Sequence, residues 1–488
     1  MNLAGTRALI VVFDALRPEF MSPNLMPNLC SFAARGTRYT HGHSVFPTET
    51  RVNQTALITG CLPRTTGIVA NTFLARDVDE NRVARTAEYA ELASLFATSR
   101  RPLIGAPTLG QRLAKAGRCY ASLSSGTAGG GLLINHSADT DGSFRLSMRA
   151  PDATVPASAW AELAKTIGPL PDVSHPAKAW ITWAVEAYLN WIEPNITPDL
   201  MLLWLCEPDE TFHYRGIGSP EARETIRHLD AEFGRIIDHH STALDAGNMQ
   251  IVAQSDHGQI TLEGQPLGIV EHLNRAGIRA ANQPGPDVDA VVAVHNAGGI
   301  WVRDEDPALT GDIVAHLQEA DWCGPVFTND GIGGTLTLDR IGLDHLRAPT
   351  IAMACAAQPN RPNDFGIAGS TRHDAPYPVG GGCHGGLSEP ELQTVLTLCG
   401  SAFRKDCVLD LPAGNCDVAP TLCHLLGVPF DAPCDGRVLH ETLVDAKSAE
   451  HGQPDREIEV SRNTAGKKTK LATTRYAGCT YLLSASAG

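Results

Sequence analysis

Six acidic and imidazole side chains stand where they could hold metal ions, because each follows an apolar run or lies beside glycines that permit a sharp turn. They are Asp14, Asp209, His213, Asp256, His257 and His384. Carboxylate oxygen together with imidazole nitrogen is a ligand mixture that zinc accepts. This set is large enough for two three-ligand sites. Two divalent ions about 4 Å apart can clamp the attacking and the leaving oxygen of a phosphoryl transfer.

The ordered combination of these residues is more informative than any one of them. An isolated aspartate after a strand is commonly a turn residue or a helix cap, and an Asp-x-x-x-His pair such as Asp209 and His213 arises by chance. Adjacent Asp256 and His257 in the segment Ser-Asp-His-Gly, at the end of an apolar run, are less common. The metal-site prediction therefore depends on the whole set.

A second chemical feature is a hydroxyl-rich segment ahead of a predicted helix. Residues 46–67 read FPTETRVNQTALITGCLPRTTG. A hydroxyl at a helix start lies where backbone N–H groups and the helix dipole favour an anion. A threonine oxygen bound to a metal there would be nucleophilic at neutral pH. The same residues also fit a simple helix-capping cluster, so these residue types alone leave both interpretations open.

The candidate ligands require a sheet edge that brings strand ends together. Apolar runs at 8–13, 200–206 and 249–254 end abruptly at these ligands, as buried parallel strands do at their carboxyl edge. Helical patterns at 177–191 and 220–239 lie between the runs. This alternation predicts an α/β fold with a doubly wound, mostly parallel central sheet and helices on both faces. In such sheets ligands bind beyond the carboxyl ends of the strands.

The composition along the chain suggests four parts. Residues 1–259 are predicted to form the first part of the catalytic core, and residues 260–382, with short β-like runs and Gly/Pro-rich turns, an inserted α+β cap. Residues 383–444 resume the core with a helix at 418–426. Residues 445–488 are predicted to form a C-terminal hairpin, pairing 457–461 with 471–476, and the alternative is a tail.

Composition excludes several classes of protein. The 488 residues, 43% of them hydrophobic and 19% charged, can bury a large core. The net charge of −15 is opposite to the basic surface that binds a nucleic acid polymer. The apolar run 7–13 is far too short for a signal sequence or a membrane span, so no membrane association is expected. The 13 scattered cysteines, with no Cys-x-x-Cys pair, fit reduced thiols and predict a cytoplasmic location.

Together these motifs resemble the alkaline phosphatase superfamily, and within it the type I phosphodiesterase/nucleotide pyrophosphatase branch. That branch carries Thr-Phe-Pro-Asn at the nucleophile, followed after six residues by the glycine of T-G-x-x-P-x-x-x-G-I. Counting back from Gly60 in TGCLPRTTGI reaches Thr50. Thr50 thus resembles the nucleophile, and Asn53 resembles an amide that binds a phosphoryl oxygen. The segments DVAPTLCHLLG at 417–427 and DGRVL at 435–439 also match the superfamily.

The sequence departs from the branch at one point that bears on the site. Arg51 and Val52 replace the Phe-Pro of the nucleophile motif. This departure keeps Thr48 as a second candidate for the nucleophile.

The resemblance implies an alkaline phosphatase-like fold with two zinc ions per chain. One zinc would be bound by Asp209, His213 and His384. The other would be bound by Asp14, Asp256, His257 and the oxygen of Thr50. Thr50 would attack phosphorus and form a covalent phosphothreonine intermediate, with the metals doing the proton chemistry. Other divalent transition metals are compatible with the same ligands.

The sequence therefore predicts an enzyme that hydrolyses phosphodiester or pyrophosphate-type bonds in a small phosphodiester, nucleotide or phosphonate substrate. One alternative is a phosphonoacetate hydrolase-like enzyme that cleaves a C–P bond. That enzyme is expected to place lysines at the substrate carboxylate, and Lys115 is the only lysine before residue 165. A phosphomonoesterase or phosphomutase of the same superfamily is a further alternative. The oligomeric state is open, and a homo-oligomer is compatible with the sequence.

Two other functional hypotheses are disfavoured by particular residues. A sulfatase requires a cysteine or serine that can be converted to an aldehyde; Thr50 cannot serve, and Cys61 lacks the required surrounding motif. A binding protein without catalytic activity is disfavoured because all six candidate ligands are retained.

Overall fold

A nine-stranded, mostly parallel sheet forms the centre of the computed structural model, which describes residues 5–445, 452–463 and 466–488. In spatial order its strands are Cys407–Gly414, Thr37–His43, Leu396–Gly400 with Gln393–Thr394, Met249–Gln254, Arg7–Phe13, Leu200–Leu205, Tyr120–Ser124 and Phe144–Ser147. The last five run parallel to one another. Leu396–Gly400 is antiparallel to both of its neighbours. The predicted α/β class and mostly parallel sheet are confirmed.

Both faces of this sheet are buried. Along Arg7–Phe13, Leu9 and Val11 pack into the apolar cluster on one face, and Ile10 and Val12 pack into the cluster on the other. This is the alternation that a strand imposes on its side chains. It explains why the central strands read as continuous apolar runs.

Helices cover the two faces, as a doubly wound sheet requires. The α-helices are Pro27–Ala34, Thr50–Thr59, Pro63–Thr66, Tyr89–Thr98, Leu109–Lys115, Ala128–Leu133, Ala138–Asp141, Ala157–Ile167, Lys178–Ala187, Glu193–Ile196, Asp209–Arg215, Pro220–Asp245, Ile269–Arg275, Pro307–Glu319, Glu389–Leu392 and Val418–Leu426. The helix predicted at 177–191 ends in a π-helical turn, Tyr188–Ile192. Among the described residues, no helix combines the length and the apolar character needed to cross a bilayer.

Two smaller sheets lie between residues 260 and 383. One contains Ala280–Ala281, Ala290–Val294, Ala297–Val302, Ile351–Cys355, Cys323–Thr328 and Leu336–Thr337. It shares a separate apolar core with the helices Ile269–Arg275 and Pro307–Glu319. The other contains Ala357–Pro362, Ala368–Thr371, Ile260–Leu262 and Gly382–Cys383. Its strand Gly382–Cys383 leads directly into His384.

The C-terminal residues form a three-stranded antiparallel sheet. Its strands are Asp455–Arg462, Lys468–Tyr476 and Cys479–Ala487. The Tyr481 hydroxyl donates to Oδ2 of the buried Asp417 at 3.0 Å, which ties this sheet to the core. Parts of the predicted C-terminal region, residues 446–451 and 464–465, lie outside the described residues. A two-stranded ribbon pairs Thr72–Leu74 with Val83–Arg85.

The strand order brings three of the candidate ligands to one edge. Arg7–Phe13 lies between Met249–Gln254 and Leu200–Leu205, with the three strands parallel. Asp14 and Asp256 lie in the loops after two of these strands, and Asp209 is the first residue of the helix Asp209–Arg215 that follows the third. The backbone N–H of Asp14 donates to Leu205 O at 3.0 Å, and that of Asp209 donates to Asp14 O at 3.1 Å. The sheet edge therefore fixes the three carboxylates relative to one another.

Candidate active site

The first group of ligands gathers around the Nε2 atom of His257. Oδ2 of Asp256 lies 3.1 Å from this nitrogen, and Oδ1 of Asp14 lies 3.6 Å from it. The Thr50 Oγ1 atom lies 3.2 Å from the same nitrogen. All four predicted residues of this group therefore converge on one point.

The second group is centred on Asp209. Nε2 of His213 lies 3.3 Å from its Oδ2, and Nε2 of His384 lies 3.5 Å from its Oδ1. The rings of His257 and His384 stack with centroids 4.0 Å apart, so the two groups adjoin. Ligand atoms of Asp209, His257 and His384 lie within 4.8 Å of one another. The structure thus places His257 between the groups as well as within the first.

Backbone carbonyls fix the orientation of all three imidazoles. Nδ1 donates to Gly382 O at 2.8 Å in His213, to Thr48 O at 2.9 Å in His384, and to Gly258 O at 3.1 Å in His257. Because a carbonyl can only accept, the Nδ1 atom carries the proton and Nε2 faces the site. This is the arrangement that prepares a histidine to bind a metal.

Two buried carboxylates each keep one oxygen for the site. Asp14 Oδ2 accepts from Trp204 Nε1 at 2.9 Å, and Asp256 Oδ1 accepts from the N–H of Ala15 at 3.1 Å. The other oxygens, Asp14 Oδ1 and Asp256 Oδ2, are buried without a hydrogen-bond partner among the described residues. Burying such an oxygen costs free energy unless a cation or a hydrogen-bond donor lies next to it. The donor set and its unpaired oxygens fit a divalent metal.

The charges of the cluster support the same conclusion. Burial, and then the negative charges of Asp256 and Asp209, raise the pKa of Asp14 well above its usual range. Burial lowers the pKa of His257, but the negative charges of Asp256 and Asp14 have the larger effect and raise that pKa to about 9. Burial, and then the charge on His257, lower the pKa of His384. The carboxylates depend on nearby positive charge, which a divalent cation supplies without protonating the imidazoles.

Local backbone geometry brings these ligands together. Ala15, directly after Asp14, has φ of 61°, a left-handed conformation that is uncommon outside glycine. Gly385 follows His384 with φ of 125°, where a side chain would be strained. The N–H of the next residue, Gly386, donates to the buried Glu391 at 2.7 Å and anchors the loop.

Thr50 and Thr48 have different surroundings. Thr50 is the first residue of the helix Thr50–Thr59, and its hydroxyl faces the first ligand group. The Thr48 hydroxyl donates to Gly386 O and accepts from the Gly385 N–H, both at 2.9 Å, and the residue is fully buried. Thr48 therefore holds the His384 loop, and Thr50 is the threonine whose hydroxyl lies against the first ligand group.

The side chain of Asn53, which the sequence predicts to bind a phosphoryl oxygen, is hydrogen-bonded to the protein in this structure. Its Oδ1 accepts from Ser44 Oγ at 2.9 Å, from the Val45 N–H at 3.0 Å and from Asn415 Nδ2 at 2.8 Å. Its Nδ2 donates to Glu49 O at 3.1 Å, and the residue is fully buried. Helical side chains lean toward the helix N-terminus. Asn53 therefore braces the loop before the helix instead of facing a substrate.

A second asparagine beside the nucleophile segment, Asn71, was missed from the sequence. Its Oδ1 accepts from the backbone N–H of Arg51 at 3.1 Å, directly after Thr50. No acceptor among the described residues is bonded to its Nδ2. Asn71 lines a cleft of about 500 Å³ together with residues of the 260–382 region, such as Asn282 and His295. The only signal in the sequence is its position in the loop that follows the G-I of the nucleophile segment.

The sequence pattern of the type I phosphodiesterase/nucleotide pyrophosphatase family matches residues 8–339, about two thirds of the chain. The chain belongs to this family. The matched range includes Thr50 and five of the six predicted ligands, and His384 lies beyond it. Phosphodiesterases and nucleotide pyrophosphatases are hydrolases, so the predicted enzyme class is confirmed.

One curated relative is similar to this chain over a short segment. A segment of 101 residues is 28% identical to human ectonucleotide pyrophosphatase/phosphodiesterase family member 7, covering 20% of this chain and 22% of that protein. The match thus spans about a fifth of the relative's length.

Solved structures of two relatives share the fold. Mouse ectonucleotide pyrophosphatase/phosphodiesterase 5, as an inactive variant in complex with AMP, superposes with a TM-score of 0.60 at 19% identity, covering 88% of this chain and 97% of that one. The human protein of the same name superposes with a TM-score of 0.60 at 17% identity, covering 90% of this chain and 100% of that one. The predicted alkaline phosphatase-like fold is confirmed.

The two asparagines lead to opposite predictions. Asn71→Ala should lower kcat by roughly 100-fold, about 3 kcal/mol for one donor to a phosphoryl oxygen, and should lower the free energy of unfolding by only about 1 kcal/mol, from the lost bond to the Arg51 N–H. Asn53→Ala should lower the free energy of unfolding by about 2 kcal/mol or more, because it leaves buried partners unpaired. Kinetics and thermal unfolding measure both, with the exposed Asn81→Ala as control. Loss of activity at unchanged stability in Asn53→Ala would instead support the phosphoryl-binding role that the sequence predicts for Asn53.

Substitutions of the two threonines should also have different effects on turnover and metal content. Thr50→Ala should abolish turnover while metal content and melting temperature are retained, because the other ligands remain. Thr48→Ala should reduce metal content after dialysis, since the His384 loop loses its anchor, and Thr48→Ser should retain it. Elemental analysis and turnover assays distinguish the variants. The opposite pattern, inactive Thr48→Ala with full metal content and active Thr50→Ala, would identify Thr48 as the nucleophile.

Proposed function

We propose that this protein is a two-zinc hydrolase of phosphodiester or pyrophosphate-type bonds in small molecules, with Thr50 as its nucleophile. The observation that carries the proposal is the position of Thr50 Oγ1, 3.2 Å from His257 Nε2. At that point two buried carboxylate oxygens also lack partners among the described residues. Asp14, Asp256 and His257 would hold one ion together with Thr50. Asp209, His213 and His384 would hold the other.

The chemistry follows from the placement of Thr50. When bound, two divalent ions would lower the pKa of the Thr50 hydroxyl and offset the charge on the phosphoryl oxygens. Thr50 Oγ forms a bond to phosphorus as the bond to the leaving group breaks, and the leaving group departs with its electron pair. Water then displaces the Thr50 oxygen from the phosphothreonine, which releases the phosphoryl product and restores the hydroxyl.

Two features of the chain favour the transition state. Thr50 is at the positive end of the helix Thr50–Thr59, where negative charge is stabilised. Nδ2 of Asn71 is available to donate to a phosphoryl oxygen beside Thr50. A neutral amide suits the single negative charge of a phosphodiester.

The cleft that Asn71 lines has a size compatible with a small substrate. About 500 Å³ is within the range of small-molecule sites. The mouse relative was solved with AMP, and we propose a group of that size for the substrate of this chain. The net charge of −15 supports a small molecule over a nucleic acid polymer.

The cellular location stays a prediction, as does the oligomeric state. All 13 cysteines are free thiols in the structure, which is compatible with the proposed cytoplasmic location.

The proposal predicts that a nitrophenyl phosphodiester is hydrolysed with a higher kcat/KM than the matching nitrophenyl monoester. The monoester dianion carries an additional charge that the neutral Asn71 amide cannot offset. The assay uses paired substrates at mildly alkaline pH with zinc present, and Thr50→Ala as the blank. A monoester preference of roughly tenfold, about 1.4 kcal/mol in barrier, would contradict the phosphodiesterase assignment.

A further inference from the structure

Gln259 is a buried glutamine next to the second ligand group, which is centred on Asp209. It directly follows the Ser-Asp-His-Gly segment, and its relative exposure is 0%. Its Nε2 atom donates to Asp209 Oδ1 at 2.5 Å and to the backbone oxygen of Asp209 at 3.3 Å. Because both bonds end on one residue, Gln259 fixes the carboxylate of Asp209 relative to the main chain of that residue.

The partners of this amide determine its orientation. A carboxylate and a backbone carbonyl both accept hydrogen bonds, so the NH₂ group of Gln259, and not its Oε1 atom, faces Asp209. Since Oδ1 of Asp209 is engaged in this way, Oδ2 is the oxygen that lies toward His213, 3.3 Å from its Nε2 atom. A neutral donor supports the ionised carboxylate without adding a positive charge that would repel a cation.

Folding stability alone does not account for a glutamine at this position. The Gln259 Oε1 atom is buried and has no hydrogen-bond partner among the described residues. An unpaired buried acceptor costs free energy, and an apolar side chain of similar size, such as methionine, avoids that cost. A residue that is unfavourable for folding and bonded to a candidate metal ligand is typical of a functional site.

The neighbouring backbone accommodates this side chain. Gln259 directly precedes a strand that pairs with Gly382–Cys383. A Cβ atom at Gly382 would lie 2.0 Å from Gln259 Oε1, so the amide occupies space that only a glycine leaves open. The Gly382 carbonyl also accepts from Nδ1 of His213. This strand pair therefore orients two ligands of the second group, Asp209 through Gln259 and His213 through Gly382.

We propose that Gln259 is a positioning residue of the metal centre, which orients the Asp209 carboxylate and thereby sets the affinity of the second ligand group for its ion. This inference rests on the proposed function and deepens it. Hydrogen-bond partners of metal ligands orient those ligands and tune metal affinity. The carboxylates of the first ligand group have other donors, the Trp204 indole and the Ala15 N–H, so Gln259 should affect one ion only.

The test is zinc binding by Gln259→Met, measured by titrating metal-free protein with zinc in the presence of a competing chelator. The wild type should show two binding steps. In Gln259→Met one step should weaken by roughly 10- to 100-fold, and the other should change by less than about threefold. The zinc concentration that gives half-maximal diesterase activity should rise by the same factor, and excess zinc should restore kcat. The melting temperature of the metal-free variant should stay close to that of the wild type, because the unpaired Oε1 atom is removed together with the hydrogen bonds.

Gln250→Leu is the matched control. Gln250 is an equally buried glutamine at the opposite end of the strand Met249–Gln254, where its amide donates to Thr6 and Ser401. This variant should lose stability and keep both zinc affinities. A second comparison places Gln259→Met in an Asp209→Asn chain. Because Gln259 acts through the Asp209 carboxylate, the added substitution should change zinc affinity no further.

Other outcomes overturn the inference. Unchanged affinity for both ions in Gln259→Met, or equal weakening of both, would do so, while two ions in the wild type uphold the proposed metal centre. A weakening that Gln250→Leu shares, or one that persists in the Asp209→Asn chain, would also overturn it. A Gln259→Met chain that fails to fold without zinc would show that the residue serves folding. A wild-type enzyme that is active with fewer than two ions would overturn the two-zinc proposal together with this inference.

Discussion

The site depends on the cost of burying negative charge at one edge of a parallel sheet. Asp14 and Asp256 are almost fully buried, and each has one oxygen without a hydrogen-bond donor among the described residues. Keeping both carboxylates ionised there costs free energy unless positive charge is supplied at that point. The imidazole of His257, with its pKa raised to about 9, shows how strongly the carboxylates attract positive charge. A divalent metal meets the same demand and also activates the threonine beside it.

The rest of the fold holds this cluster in place. The sheet brings the carboxylates to one edge, and backbone carbonyls turn the Nε2 atoms of the imidazoles inward. The loop with His384 is anchored from two sides, by the Thr48 hydroxyl and by Glu391. Glu391 in turn accepts from Asn296 Nδ2 at 2.8 Å, so the 260–382 region contributes to the geometry of the metal ligands. The same region lines the cleft next to Asn71.

The features that could be predicted from the sequence are those that depend on local residue patterns, such as strand ends and helix boundaries. Strand ends such as Asp14 and Asp256 were found because a buried parallel strand ends abruptly at its carboxyl edge, and the helix Val418–Leu426 was placed to the residue. The hydrogen bonds that Asn53 makes to the protein could not be predicted, because a spacing of three residues does not reveal which way a side chain points. Asn71 was missed because its proximity to Thr50 depends on a loop that returns to the helix start.

The most direct test of this account is anomalous X-ray diffraction from crystals of the protein, measured on both sides of the zinc absorption edge. The account predicts two zinc peaks per chain. One lies among Asp14, Asp256, His257 and Thr50 Oγ1, and the other among Asp209, His213 and His384. A single peak, no peak in active crystals, or a peak only at another cluster such as Glu193, His239 and His240 would contradict it.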